Sequence, residues 1–247
     1  MSNYFEVLQR AARDEELFPL TCRSATPLNG RHPRPDLEAL ALEEMRKLVQ
    51  RLFLLPRDGG GPRMVLFCGV EQGDRSHWIC ARAGRTLATQ VAGTVCVVDA
   101  NLRSPSMHQH FAVENLRGLS DALRNSGPIR TCVRPLSGNN LWLMPCGSPA
   151  PDLQNLLSSD HIMPRMKELR AEFDYVLVDA PPVNPYADAI LLGQLADGVV
   201  LVVQADSTRR ETARKVKETL QAAKVNLLGT VLDKRTFPIP EPFYRRL

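Results

Sequence analysis

The chain has 247 residues, of which 44% are hydrophobic and 23% are charged, and its formal net charge is +4 at pH 7. This length accommodates one large α/β domain or two small ones, and the apolar content excludes a disordered chain. Because so small a net charge is weak support for nucleic-acid binding, we expect no nucleic-acid partner.

The sequence predicts neither a membrane span nor a signal peptide. No apolar stretch approaches the roughly 18 residues that a membrane-spanning helix needs, and the N-terminus has no basic segment ahead of an apolar core. None of the six cysteines forms a C-x-x-C pair, so neither a zinc ribbon nor a thioredoxin-type motif is predicted. Cys68 and Cys96 lie in apolar runs, which favours reduced core cysteines of a cytosolic protein. We therefore expect a cytoplasmic protein that reaches the inner membrane only through a partner.

The first part of the chain is predicted to be helical. Apolar residues at helical spacing predict an amphipathic helix over residues 3–17. After a proline-containing connector, they predict a second helix over residues 36–55, capped by Asp36. We therefore divide the chain into an N-terminal helical arm with its connector, residues 1–35, and one domain, residues 36–247.

The rest of the chain alternates between short apolar runs and helical patterns. The apolar runs have the length of strands and are continuous, as expected for strands buried on both faces of a parallel sheet. They are Met64–Cys68, Val95–Val98, Leu141–Met144, Tyr175–Val178, Val199–Val203 and Leu227–Leu232. The helical patterns include His161–Glu172, Ala187–Leu195 and Arg209–Ala223. The alternation predicts an α/β fold with a doubly wound, mainly parallel sheet flanked by helices, and a ligand site at the carboxyl ends of its strands.

Two of the predicted strands end in an aspartate. Asp99 follows the run Val95–Val98, and Asp179 follows the run Tyr175–Val178 and precedes a double proline. An aspartate at a strand tip can hold Mg²⁺, or water bound to it, beside a nucleotide phosphate. Because both strands belong to one predicted sheet, we expect the two carboxylates to lie at a common site.

These two segments resemble the Walker A′ and Walker B motifs of the bacterial polysaccharide tyrosine kinases (BY-kinases, CpsD/CapB-like), which have a P-loop NTPase fold. The resemblance extends over nearly the whole chain. Glu43 and Arg46 match the E-x-x-R-x-x-R oligomerisation motif of the family, although Val49 replaces its last arginine. The resemblance implies ATP and Mg²⁺ as cofactors, Asp99 and Asp179 as catalytic and metal-binding residues, and a homo-oligomer. It also implies a membrane polysaccharide co-polymerase, the chain-length regulator, as the partner.

The phosphate-binding loop departs from the pattern of this family. A P-loop needs glycines whose N–H groups wrap the phosphates, a lysine at the terminal phosphates and a Ser/Thr hydroxyl for Mg²⁺. One register of the run GVEQGDRSHW places Asp74 on a glycine and Arg75 on the lysine. The gap-free register, which we prefer, places Arg75 on a glycine, Ser76 on the lysine and His77 on the serine. Both registers lose the lysine, since none occurs between Lys47 and Lys167.

Other family positions are altered as well. Asn101 replaces the second aspartate of Walker A′, and Asp233 stands where the family has an asparagine near the base. Tyr244 is the one tyrosine of a C-terminal tail in which the family carries a tyrosine cluster, and it is therefore the candidate phosphoacceptor. The degenerate nucleotide site would comprise Gly73, Asp74, Arg75, Ser76, His77, Asn101, Arg103 and Asp233.

We accordingly predict a pseudokinase, a non-catalytic or weakly catalytic regulator of exopolysaccharide and capsule biosynthesis and export. Losing one charge-assisted hydrogen bond to phosphate costs about 1.5–3 kcal/mol, and the acidic side chains of Glu71 and Asp74 repel a polyphosphate. Two alternatives stay open. One is an active ATP-dependent tyrosine autokinase with Arg75 in place of the lysine. The other is a switch ATPase of the ParA/MinD type, although the loops of those proteins carry two lysines.

Overall fold

A computed structural model of the protein describes residues 37–55, 60–136, 138, 140–148, 156 and 161–234. The predicted helix over residues 3–17, the cap at Asp36 and the candidate acceptor Tyr244 lie outside these ranges. The boundary between the arm and the domain therefore stays a prediction.

A seven-stranded sheet forms the centre of the described structure. Six of its strands coincide with the predicted apolar runs to within one residue at each end. The strands are β1 Met64–Gly69, β2 Val95–Asp99, β3 Arg134–Pro135, β4 Leu141–Met144, β5 Tyr175–Asp179, β6 Gly198–Gln204 and β7 Leu227–Asp233. The sequence analysis missed β3, because two residues that include a proline carry no periodic pattern.

The order of the strands across the sheet is β3-β4-β2-β5-β1-β6-β7. All neighbours are parallel except β3 and β4, which are antiparallel. The predicted doubly wound, mainly parallel sheet is therefore confirmed. The order places the carboxyl ends of β2, β5 and β1 side by side, so the segments that follow these strands converge on one edge of the sheet.

Helices cover the sheet, and three of them lie where the sequence predicts them. The helices are α1 Leu37–Val49, α2 Ser76–Ala88, α3 Met107–His110, α4 Leu119–Arg124, α5 Ile162–Glu172, α6 Asp188–Gly193 and α7 Arg210–Ala222. The second predicted helix differs in its last part, because α-helical geometry ends at Val49 and a π-helical segment, Gln50–Leu54, continues it. Short helices α3 and α4 and the longer α2 were not predicted.

The core lies on both faces of the sheet. Along β1, Met64, Leu66 and Cys68 pack on one face, whereas Val65 and Phe67 pack on the other. All six residues of β1 are buried, as the continuous apolar pattern predicts for a central parallel strand. The five described cysteines are free and buried. Within the described ranges, no helix combines the length and the apolar character needed to cross a bilayer.

Candidate functional site

Asp99 and Asp179 occupy adjacent positions at the carboxyl edge of the sheet. They end the neighbouring parallel strands β2 and β5 and are direct partners in the strand register. Both side chains are fully buried. The structure thus brings the two strand-tip carboxylates together, and it places them beside the loop that connects β1 to α2.

Asp179 makes one side-chain contact with that loop. The hydroxyl of Ser76 donates a hydrogen bond of 3.0 Å to Asp179 Oδ1. Asp179 Oδ2 has no hydrogen-bond partner in the described part of the chain. Burial, and then the neighbouring carboxylate of Asp99, raise the pKa of Asp179 well above its ordinary value. The surroundings therefore stabilise the charged form of this carboxyl group poorly.

Asp99 lies in a different environment. Its Oδ2 accepts the N–H groups of Ser106 and Met107, each at 3.0 Å, and its Oδ1 accepts the N–H of Asn101 at 3.2 Å. These bonds attach the segment after β2, and the start of α3, to the tip of the strand. Burial raises the pKa of Asp99 to about 6, although the three N–H donors act in the opposite direction. Both oxygens of the Asp99 carboxylate thus already accept hydrogen bonds from backbone N–H groups.

Asn101, the neighbour of Asp99 in the predicted Walker A′ segment, is part of the same turn. Its side-chain Oδ1 accepts the N–H of Ser104 at 3.2 Å. This is a local turn contact, typical of an asparagine side chain that accepts the backbone N–H two or three residues further on. It orders the segment after β2.

The loop between β1 and α2 contains the candidate phosphate-binding residues. Gly73 has a φ of +92°, a left-handed conformation that glycine adopts without strain. Asp74 turns its side chain back across the loop, and its Oδ2 accepts the N–H groups of Val70 at 2.7 Å and Glu71 at 2.8 Å. Burial raises the pKa of Asp74, the two N–H donors lower it, and Glu71 and Asp233 raise it further.

Ser76 is the first residue of α2, and its hydroxyl faces the strand-tip aspartate. In a P-loop the hydroxyl residue directly follows the lysine. This contact is what the register with Arg75 on the lysine position expects. The choice between the two registers stays a prediction.

Arg75 is held away from a free, phosphate-facing position. Its guanidinium lies 4.4 Å from the ring centroid of Trp78, and its Nε lies 3.9 Å from Asp233 Oδ2 at the end of β7. Asp233 is fully buried, and its pKa is raised by burial although the charge of Arg75 lowers it. Among the described residues, Arg75 Nη1 and both carboxylate oxygens of Asp233 have no hydrogen-bond partner.

His77 points away from the aspartates. Its ring stacks on that of His110 in α3, with 5.0 Å between the ring centroids. Burial, His110 and Arg75 lower the pKa of His77 to about 4, so its imidazole is neutral at physiological pH. His77 therefore connects α2 to α3 and contributes no charge to an anion site.

A chain of polar contacts connects three loops at the same edge of the sheet. Arg103 forms two hydrogen bonds with Asp188, at 2.7 and 3.3 Å, and its guanidinium lies 4.1 Å from the ring centroid of Tyr186. The Tyr186 hydroxyl accepts a hydrogen bond of 2.8 Å from Gln72. Sequence analysis selected Arg103 but missed its partners. Tyr186 and Asp188 follow the end of β5 within ten residues, and this position could have indicated that they lie at the site.

The two candidate oligomerisation residues lie on α1, remote from this site. Glu43 and Arg46 form a weak ion pair of 3.8 Å, and each side chain is about half exposed, at 51% and 52%. Val49, which replaces the last arginine of the motif, is fully buried in the core. A side chain at this position therefore supports the packing of α1 and is not available on the surface.

The site residues fit a metal ion better than they fit a nucleotide. The Ser76 hydroxyl and the unpartnered Asp179 Oδ2 are oxygen atoms of the kind that bind hydrated Mg²⁺. The described residues include no cluster of three or more His, Cys, Asp or Glu side chains placed to share a metal. The loop does not fit a triphosphate, because Asp74 places a carboxylate inside it and Arg75 is paired with Asp233.

Comparison with known proteins agrees with a P-loop fold. The solved kinase domain of the Escherichia coli tyrosine kinase ETK matches with a TM-score of 0.71 and 20% identity, over 81% of this chain and 78% of that one. The septum site-determining protein MinD of Pyrococcus horikoshii, solved with Mg-ADP, matches with a TM-score of 0.60 and 18% identity, over 74% and 76% of the two chains. At these identities the likeness establishes the fold alone.

Curated relatives are more specific. The tyrosine-protein kinase YwqD of Bacillus subtilis is 36% identical over 139 residues, which are 56% of this chain and 59% of the kinase. The tyrosine-protein kinase CpsD of Streptococcus agalactiae is 25% identical over 173 residues, 70% of this chain and 75% of the kinase. No protein-family profile matches the chain. The chain is a relative of the bacterial tyrosine kinases, and it has their P-loop fold. It spans about three fifths of the length of YwqD.

Proposed function

We propose that this protein is a regulator or partner in exopolysaccharide and capsule biosynthesis and export, descended from a tyrosine autokinase and impaired in ATP binding and catalysis. We place it in the cytoplasm, where a membrane polysaccharide co-polymerase of the kind implied by the family resemblance would hold it at the inner membrane. The chain shares its fold with the kinase domain of ETK, and its similarity to YwqD and CpsD supports a role in the same process.

The observation that carries this proposal is the state of Arg75. It is the only basic residue of the loop from Gly69 to Ser76, and it is paired with Asp233 and stacked on Trp78. Moving it to a phosphate would remove one of the two positive charges, Arg75 and Lys234, that lie near the buried carboxylate of Asp233, which carries a cost in a low-dielectric environment. Arginine also differs from lysine in shape and hydration, so it replaces the lysine point charge poorly.

The charges around Arg75 act in the same direction. Asp74 lies inside the loop, and Asp99 and Asp179 are buried next to it. A triphosphate entering the loop would meet the Asp74 carboxylate, and the one guanidinium of the loop lies near Asp233. Phosphoryl transfer requires stabilisation of the charge that develops on the transferred group. The local charge balance supports weak binding and slow transfer.

A genetic complementation experiment tests the regulatory role. In a strain that lacks the gene, we expect the Asp179→Asn variant to restore exopolysaccharide production to the level of the wild-type protein. The reason is that the proposed role uses the surface of the protein and not the strand-tip carboxylate. Deletion of the gene should lower exopolysaccharide production. The negative control is a variant that does not accumulate in the cell and therefore should not restore production. Loss of polymer with a stable Asp179→Asn protein would contradict the regulatory role.

One observation favours the alternative of an active autokinase. Ser76 and Asp179 retain the hydroxyl–carboxylate contact that a Mg²⁺-dependent P-loop enzyme needs. An active kinase would carry phosphotyrosine after purification, on Tyr244 or another tyrosine, and would lose it in Asp179→Ala. We expect mass spectrometry of the wild-type protein to detect no phosphotyrosine, whereas YwqD, treated identically, is the positive control.

A further inference from the structure

A carboxylate of the loop itself occupies backbone groups that an anion would use. Asp74 Oδ2 accepts two consecutive N–H groups, from Val70 at 2.7 Å and Glu71 at 2.8 Å. The side chain lies against the start of the loop, since a Cβ added to Gly69 would stand 2.5 Å from the Cβ of Asp74. Consecutive backbone N–H groups can form an anion-binding concavity, in which they donate hydrogen bonds to a carboxylate or to a phosphate.

We propose that the Asp74 carboxylate is an internal occupant of the phosphate-binding loop, which competes with polyphosphate anions and keeps the loop closed to them. The inference rests on the proposed function and names the residue responsible for it. It concerns Asp74 specifically and is separate from the absence of a lysine.

Competition from within the chain is effective for two physical reasons. Asp74 is only three and four residues from its N–H partners, so the local concentration of the carboxylate far exceeds that of any dissolved anion. In addition, an entering phosphate would approach this negative charge before it could displace it. Both effects vanish when the carboxylate is removed.

The neighbourhood of the loop retains groups suited to a ligand. Asp179 Oδ2 and Arg75 Nη1 are buried polar atoms without a hydrogen-bond partner among the residues described. Buried polar atoms normally have a partner, which can be protein, water or a ligand. These two atoms belong to Arg75, which follows Asp74 in the chain, and to the strand-tip aspartate that Ser76 contacts, so the loop borders on polar groups that the Asp74 carboxylate leaves unsatisfied.

Calorimetric titration of the full chain tests the inference, with inorganic tripolyphosphate and Mg-ADP as probes. Removing the carboxylate in Asp74→Gly should tighten the binding of both probes by at least about tenfold, the effect of one charge-assisted hydrogen bond. Asp74→Ala should give a comparable gain and excludes an effect of glycine flexibility. Glu71→Gln is the matched control, because it removes one negative charge from the same loop and frees no N–H group; we expect a change of less than about threefold.

A second readout locates the binding site. In ¹⁵N-labelled Asp74→Gly, tripolyphosphate should shift the amide resonances of Val70 and Glu71, and in the wild-type protein these two resonances should stay in place. Retained cooperative unfolding of each variant establishes that the fold is intact.

The outcomes separate the inference from the proposed function. Weak binding by the wild-type protein with no gain in either Asp74 variant overturns the internal occupant and leaves the regulatory role intact. An equal gain in Glu71→Gln also overturns it, because net charge alone would then explain the effect. Micromolar Mg-ATP binding with turnover by the wild-type protein overturns both.

Discussion

At the scale of single residues, two aspartates in similar positions have different surroundings. Asp99 and Asp179 each end a buried strand, and they are partners in the register of β2 and β5. Three backbone N–H groups hold Asp99, whereas one hydroxyl holds Asp179. The Asp99 carboxylate fixes the segment that follows β2, whereas Asp179 Oδ2 has no hydrogen-bond partner among the described residues.

Asp99→Ala should therefore destabilise the protein. It would leave three N–H groups without their acceptor, one of them at the start of α3, and we expect the free energy of unfolding to fall by about 2–4 kcal/mol. Urea denaturation followed by circular dichroism measures this change. An Asp99→Ala protein as stable as the wild type would show that the backbone contacts contribute nothing to stability.

Asp179→Asn should change the pH dependence of stability. The folded protein raises the pKa of Asp179 above its ordinary value of 3.8, so its contribution to stability is fully present below about pH 4 and is lost as the pH rises through the raised pKa. Asparagine keeps an acceptor for Ser76 and carries no charge. We expect the variant to gain stability relative to the wild type between pH 5 and pH 8 in urea denaturation. A difference that is constant over this interval, or that narrows, would contradict the assignment.

Part of this residue-scale account was predictable. Strand-tip positions in one parallel sheet were enough to place Asp99 and Asp179 together. The contacts of Asp99 with Ser106 and Met107 were not predictable, because they depend on the path of the chain after β2 returning to the strand. The inward turn of the Asp74 side chain likewise depends on the path of the loop backbone, which the spacing of apolar residues does not predict.

At the scale of elements, the predictions were best for the parallel strands. Burial on both faces makes them continuous apolar runs, and six were located to within one residue at each end. Helix α2 was missed because its sequence, SHWICARAGRTLA, mixes aromatic, basic and small residues and shows no clear apolar stripe.

Gly84 in α2 is required by the close approach of the helix to the sheet. A Cβ at this position would overlap Cγ2 of Val97 in β2. Helix propensity alone predicts that Gly84→Ala stabilises by about 1 kcal/mol. We expect the opposite, a destabilisation of about 1–3 kcal/mol from overpacking.

A double-mutant cycle separates the two contributions. In a Val97→Ala background the overlapping methyl group is absent, and Gly84→Ala should then be neutral or stabilising in thermal unfolding. An equal cost of Gly84→Ala in both backgrounds would assign the effect to something other than this contact.

At the scale of the whole molecule, the chain has the fold of solved kinase domains, and we propose that its phosphate site has changed. The chain shares its fold with the kinase domain of ETK and 36% identity over 139 residues with YwqD. The missing lysine was visible in the sequence. The pairing of Arg75 with Asp233 was not, because these residues are more than 150 positions apart and meet only when β7 joins the sheet.

The central claim is that the wild-type protein no longer binds a nucleotide tightly. Losing the lysine costs about 1.5–3 kcal/mol, or about 10- to 150-fold in affinity, and the Asp74 carboxylate adds to this loss. The most direct measurement is a calorimetric titration of the purified wild-type chain with Mg-ATP. We predict no saturation below about 1 mM, the level at which only about 4 kcal/mol of binding free energy remains. A dissociation constant in the micromolar range, with the triphosphate turned over, would contradict the account.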